Sequence, residues 1–229
     1  MQKSVLALAV LATASLPALA ESVDVRVTGT ITPVACTPTI AGGGTIDYGT
    51  IDPASISDTD YTVLPEKQVD FSIACDAPAK IAIKAINGRP GTLAGATESV
   101  SGGAAPVNLF GAINQGAFGL GLDGTDKIGG YGIRIAQGTV QADGTAVDNI
   151  LRNTPTAAWI SVGTGVGSLI NASNVRHVSW AASGSLDPIA FTNMTGKLGV
   201  QAYINKGSEL DLTKPVTLDG LTTIELVYI

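Results

Sequence analysis

The chain has 229 residues, of which 45% are hydrophobic, with 28 glycines, 11 prolines and a formal net charge of −6. This acidic balance and the 5% aromatic content argue against a nucleic-acid-binding protein or a protein that binds anionic lipid. The hydrophobic content is too high for glycine-rich disorder and favours short strands joined by many turns.

Residues 1–20 have the pattern of a secretory signal peptide. Lys3 supplies a positive charge, residues 5–16 supply an apolar core, and Ala18 and Ala20 form a small-x-small cleavage site. The alternative is a membrane anchor, but the apolar run is short for a bilayer span and polar residues follow it at once. We therefore expect an exported protein that begins at Glu21 and has no membrane span after cleavage.

The next segment, residues 23–31, alternates with a period of two. Val23, Val25, Val27 and Ile31 share one face with Gly29, whereas the residues between them are charged or carry hydroxyl groups. Such alternation predicts a strand with one buried face. A strand at the free end of an exported chain has to pair with a sheet, either in its own domain or in another molecule.

The chain has two cysteines, Cys36 and Cys75. In an exported protein the simplest interpretation of such a pair is one disulfide. A zinc site would need further ligands that do not lie nearby in the sequence, and no Cys-x-x-Cys redox motif is present. The sequence therefore predicts a structural disulfide.

Further strands are predicted between closely spaced turn signals such as Asn87-Gly88, Asp123-Gly124 and Asp143-Gly144. The predicted strands are residues 45–51, 68–75, 80–86, 131–136, 197–205 and 222–229. Short alternating strands at this spacing favour an all-β antiparallel sandwich. Residues 90–195 are either long surface loops or extra strands, with Trp159 and Trp180 as expected anchors.

The C-terminal segment is apolar on alternate positions and ends the chain inside a strand. Ile224, Leu226 and Tyr228 share one face, and the tyrosine is the penultimate residue. An apolar-faced strand thus stands at each end of the exported chain, one before the first cysteine and one at the C-terminus.

These two ends resemble those of the subunits of chaperone-usher fimbriae. Shorter segments resemble the major subunits of the beta-type branch of that family: ITPVACTP (31–38), LPEK (64–67), KAINGRPG (84–91), AYINK (202–206) and LDLTKPVTLDG (210–220). The resemblance covers most of the chain after the signal peptide, and residues 90–195 are the part that it explains least.

The resemblance implies an immunoglobulin-like β-sandwich that lacks one strand and is completed by donor-strand exchange. In that family a periplasmic chaperone first fills the groove, and the N-terminal extension of the next subunit then replaces it. Residues 21–32 would be this donor extension, and residues 33–229 the pilin-like domain. Val23, Val25, Val27, Gly29 and Ile31 would be donor residues, and Ile224, Leu226 and Tyr228 would belong to the acceptor and chaperone-contact edge.

The function implied by the resemblance is that of a structural fimbrial subunit that polymerises head to tail and supports adhesion. Its partners would be identical or related subunits, a periplasmic chaperone and an outer-membrane usher. The protein would pass through the periplasm to the bacterial surface. No cofactor, metal ion, nucleic acid or catalytic activity is expected.

Three alternatives remain open from the sequence. In the first, the protein is a minor or tip adhesin that binds a ligand through residues 90–195. In the second, it is a self-complete secreted sandwich with a binding function. A hydrolase would have to use His177, the chain's single histidine, and no Gly-x-Ser-x-Gly motif accompanies it. Asp123 and Asp126 are candidate calcium ligands, but the sequence shows no full ligand set around them.

Overall fold

The computed structural model describes residues 22–31, 33–163 and 165–229. The chain divides into two units, Met1–Pro33 and Val34–Ile229. The predicted signal peptide, residues 1–20, and its cleavage site before Glu21 lie outside the described residues. No helix in the described ranges is both long and apolar enough to cross a bilayer.

The described part of the chain is all-β, as the sequence predicts. Its strands are β1 (Cys36–Ile40), β2 (Thr62–Val63), β3 (Lys67–Asn87), β4 (Gly103–Ala104), β5 (Gly116–Gly119), β6 (Leu122–Asp123), β7 (Asp126–Lys127), β8 (Gly129–Ile135), β9 (Gln141–Ala142), β10 (Thr145–Ala146), β11 (Asp148–Arg152), β12 (Ile160–Ser161), β13 (His177–Ala181), β14 (Ala190–Ile204) and β15 (Thr222–Tyr228). Short 3₁₀ turns occupy Ala41–Gly44, Pro53–Ser55 and Gly207–Glu209.

Thirteen strands form one curled antiparallel sheet with β3 and β14 at its centre. The order along its main path is β12-β11-β13-β3-β14-β8-β5-β4, while β6 and β7 form a separate hairpin. Outside this path, β1 and β15 both pair with β3, and β2 pairs with β14. The alternation predicted for β3 is confirmed, because Phe71, Ile73 and Cys75 are buried.

β3 is a single strand of 21 residues, whereas the sequence predicts two strands, 68–75 and 80–86. Pro78 falls between them and has no N–H to donate to a ladder. The structure accommodates it because the pairing with β14 is irregular there: Phe191 pairs with Ala79 and Asn193 pairs with Ala74. β3 therefore continues past the proline.

Much of the middle region, 90–195, is built from short strands and hairpins. β9 and β10 are joined by Asp143 and Gly144, whose φ angles of 47° and 79° are both positive. This is the two-residue turn for which Asp-Gly is favoured. The Asp143 carboxylate also accepts hydrogen bonds from the backbone N–H groups of Thr192 and Asn193. The turn thus satisfies backbone donors at the irregularity in β14.

The main core lies between the two halves of the curled sheet. Trp180 is fully buried there and packs edge-to-face on Phe191, with ring centroids 5.8 Å apart. It is the anchor that the sequence predicts. Trp159 is only half-buried and stacks against the Arg152 guanidinium at 4.5 Å. A smaller cluster forms around Leu93, Leu109 and Tyr203.

Two predicted strands are absent from the described chain. Residues 45–51 pair with no strand, although Ile46, Tyr48 and Ile51 pack half-buried against the main core. Residues 23–31 form no strand either. The reason is general, because alternation provides an apolar face but a strand also needs an edge to pair with.

Candidate functional site

The two strands nearest the ends of the folded unit lie one after the other along one edge of β3. Residues 36–40 of β1 pair with residues 71–75, and residues 222–228 of β15 pair with residues 81–87. The opposite edge of β3 is taken by β14 and β13. Within the described ranges, no strand pairs with the outer side of either β1 or β15. The sheet thus has an open edge built from both ends of the unit.

A hydrogen bond and a disulfide join the two strands of this edge to each other and to β3. The backbone N–H of Cys36 donates to the Tyr228 hydroxyl at 2.8 Å, across 192 residues of chain. Cys36 is bonded to Cys75 on β3, which confirms the predicted disulfide. The penultimate tyrosine is thereby fixed at the start of β1.

Four half-buried side chains of β1 and β15 form an apolar band on the strands of the open edge: Cys36, Ile40, Ile224 and Leu226. On β15, Ile224 and Leu226 pack partly buried against the main core, whereas Tyr228 is half exposed. Most of the partly buried side chains that pack on this core come from residues 34–69 and 210–226; Val162 and Ile189 are the exceptions. The residues from these two ranges are Val34, Cys36, Ile40, Ile46, Tyr48, Ile51, Ile56, Val69, Leu210, Val216, Leu218, Ile224 and Leu226. The two end regions of the unit thus supply most of the side chains that are only partly buried against the core.

The predicted donor residues are exposed in the single chain. Val23, Val25, Val27 and Ile31 are between 86% and 98% exposed. A Cβ added at Gly29 would meet no atom within 4 Å, and its φ is not in the left-handed region. Neither packing nor backbone conformation within the described chain therefore accounts for a glycine at this position.

His177 lies in the sheet rather than in a triad of nucleophile, base and acid. Its Nδ1 accepts a hydrogen bond from Nε of Arg152 at 3.3 Å. Burial, together with the charges of Arg152 and Lys84, lowers the pKa of His177. Lys84 is paired with Glu225 on β15 at 2.9 Å. Burial and the two cations thus favour the neutral imidazole against the opposing charge of Glu225, and Nδ1, which faces a carboxylate in a Ser-His-Asp triad, here faces a guanidinium.

Asp123, one of the two candidate calcium ligands, is engaged elsewhere. Lys214 lies 3.1 Å from an Asp123 carboxylate oxygen. Among the described residues, no group of three or more acidic, histidine or cysteine side chains is placed to hold a metal ion.

A cavity of about 460 Å³ lies among the loops of the middle region. Arg176 lines it, donating from Nε to Asn153 Oδ1 at 3.1 Å and from Nη1 to the Ser168 carbonyl at 2.9 Å. Desolvation by burial lowers the pKa of Arg176. Sequence reasoning missed this residue, because its partners lie 23 and 8 residues away in loops that carry no motif.

Comparison with known proteins places the chain in a family. The family model described as "Protein of unknown function (DUF1120)" matches residues 25–132. "Protein GltF" of Escherichia coli (strain K12) is 30% identical over 96% of this chain and 95% of its own length. "Uncharacterized protein YhcF" of the same organism is 27% identical over 91% of this chain and 90% of its own length. The match to GltF over nearly the whole of both chains shows that this protein belongs to the GltF family.

Proposed function

We propose that this protein is a structural subunit of a surface filament, a fimbrial subunit of the chaperone-usher type, which polymerises by donating its N-terminal strand to a neighbouring copy. The observation that carries the proposal is the open edge formed by β1 and β15, with its band of half-buried hydrophobic side chains. A second chain that paired with this edge would extend the sheet and cover the half-buried side chains of this band.

The N-terminal extension has the properties of the missing strand. One face of the extension carries the apolar row that such an edge needs: Val23, Val25, Val27 and Ile31. These four side chains are almost fully exposed in the single chain. Gly29 lies in the same row. A glycine inside a strand marks either a bulge or the close approach of another backbone. The second meaning is favoured, because no described atom beyond its two chain neighbours lies within 4 Å of a Cβ placed there.

The energetics suit a stable but non-covalent joint. Burying four aliphatic side chains contributes very roughly 6 kcal/mol. Backbone hydrogen bonds along the donated strand add to this and fix its register. Until the strand arrives, the exposed edge and apolar band need a protective partner, which is the role of a periplasmic chaperone. An outer-membrane usher would then exchange that chaperone for the next subunit.

The decisive experiment moves the extension to the other end of the chain. One variant lacks residues 21–32, and a second carries these residues re-attached through a flexible linker after Ile229. Since 1 kcal/mol shifts the unfolding midpoint of a domain of this size by about 2–4 °C, we expect the second variant to melt about 10–25 °C higher. It should also remain monomeric.

The matched control re-attaches the same segment with Val25→Asp and Val27→Asp. Two carboxylates on the apolar face should remove most of the gain, because burial of an unpaired charge is costly. Equal melting of all three variants would mean that the sandwich is already complete, and the proposal would then fail.

A further inference from the structure

We propose that the loop cavity at Arg176 is a binding site for the carboxylate group of a small organic acid. This site is separate from the edge formed by β1 and β15, and it would bind its ligand whether or not the chain forms a filament. The site combines the charge of Arg176 with a lining of neutral polar side chains.

Arg176 is a fixed cation without a counter-ion in the described chain. Arg89 and Arg134 each hold a carboxylate through two N–H groups, those of Asp219 and Glu66 respectively. Arg176 instead donates to an amide and a carbonyl oxygen, and it forms no ion pair with any described residue. These two bonds leave its Nη2 group free, so the terminal edge of the guanidinium remains available to an acceptor.

The charge balance selects a carboxylate over a phosphate. A carboxylate carries one negative charge and can accept two parallel hydrogen bonds from a guanidinium. A phosphate monoester carries about −1.5 to −2 at neutral pH. Arg176 is the one charged side chain among the residues that line the cavity, so a single negative charge is what the site neutralises.

The rest of the cavity offers neutral hydrogen-bonding groups. Its lining includes the side chains of Asn114, Gln115, Ser161, Asn171 and Ser173. The volume of about 460 Å³ lies within the range of small-molecule sites. Hydroxyl and amide groups at this density suit a ligand that bears hydroxyl groups beside its carboxylate, such as a sugar acid.

Exposed apolar side chains stand next to this lining. Val100, 91% exposed, follows Ser99, whose hydroxyl donates to the carbonyl of the lining residue Ala172 at 3.0 Å. Ile113, 68% exposed, accepts through its carbonyl a hydrogen bond from Gln115 at 2.9 Å. These two are the most exposed large apolar side chains in Val34–Ile229. Both residues are therefore tied to the lining through hydrogen bonds of their segments, although neither is itself a lining residue.

The test is calorimetric titration of the protein, purified after expression of the full chain, with glucuronate, acetate and glucose at constant ionic strength. We expect saturable binding of glucuronate and none of glucose. Acetate binding would show that the carboxylate suffices, and binding of glucuronate alone would show that the hydroxyl groups also contribute. Both results support the site. Absence of glucuronate binding, or glucose binding of equal affinity, would overturn it.

The Arg176→Gln variant separates recognition by this residue from binding elsewhere. Loss of a charge-assisted pair should weaken glucuronate binding by about 10- to 100-fold. Arg152→Gln is the matched control, because Arg152 stacks on Trp159 and does not line the cavity. If Arg176→Gln fails to fold, Ser173→Trp fills the cavity from an exposed position and should also abolish binding. Unchanged affinity in either folded cavity variant would contradict the proposal.

Discussion

The hydroxyl of Tyr228 is the point at which the end of the chain meets the start of β1. It accepts a hydrogen bond from the backbone N–H of Cys36, and Cys36 also forms the disulfide with Cys75. The sequence indicates that Tyr228 shares a face with Ile224 and Leu226, and all three do lie on β15. It cannot indicate the partner of the hydroxyl, because that partner depends on β1 and β15 following each other along β3.

Replacing Tyr228 by phenylalanine should lower the free energy of unfolding by about 0.5–1.5 kcal/mol, since the Cys36 N–H loses its acceptor while the ring remains. Urea unfolding measures the change. Tyr61→Phe is the matched control, because the Tyr61 ring packs edge-to-face on Tyr203 but its hydroxyl makes no hydrogen bond to the described residues. Equal losses in both variants would show that the Cys36–Tyr228 bond contributes nothing specific.

Arg176 marks the limit of sequence reasoning at the scale of single residues. Its chemistry as a cation is evident from the sequence, but its isolation from carboxylates is not. Asn153 and Ser168, which hold it, come from loops whose conformations follow from the pairing of β11 with β12 and β13. A site made by loop packing leaves no spacing pattern in the chain.

Among the elements, β3 organises the sheet, and its length is what the sequence hides. The alternation of its two halves predicts which side chains are buried, but Pro78 indicates a break between them. The break is absent because the irregular pairing with β14 leaves the proline without a required ladder bond. β8 and β15 are predicted to within two residues of their ends, whereas the first seven residues of β14 are not predicted, because its pairing with β3 is irregular there.

The disulfide between β1 and β3 should contribute strongly to stability. It closes a loop with a sequence separation of 39, for which the chain-entropy model gives roughly 4 kcal/mol. We expect the double variant Cys36→Ser, Cys75→Ser to unfold in urea with a free energy about 2–5 kcal/mol lower. A reducing agent should lower the stability of the natural chain and leave the double variant unaffected. Insensitivity of the natural chain would show that β1 is held by its other contacts alone.

For the whole molecule, the open edge and the exposed extension are different surfaces of one chain. An interface between two different surfaces repeats in one direction and does not close on itself unless its rotation forms a ring. All-β class and the disulfide are predictable from sequence alone. The open edge is not, because pairing partners of β1 and β15 become known only when the sheet order is known.

A subunit that can accept a strand but cannot donate one can occupy only the first position of a filament, because every later subunit is added through its own donated strand. When a variant lacking residues 21–32 makes up about one in ten of the subunits, each incorporated copy starts a separate filament, so the mean length should fall to about ten subunits. Electron microscopy measures the lengths. The control is the variant with the segment re-attached after Ile229, which neither donates nor accepts and should leave the lengths unchanged. Unaltered lengths with both variants would exclude head-to-tail growth through this strand.

The position of the disulfide also determines how the folded unit carries mechanical tension. A pull on the N-terminal extension enters the unit Val34–Ile229 at its first residues and reaches Cys36 after two peptide steps. There the covalent bond transfers the force directly to Cys75 on β3, the central strand. The residues between the two cysteines are bypassed and carry no load. Tension that enters through the extension is therefore passed by a covalent bond to the longest strand of the sheet.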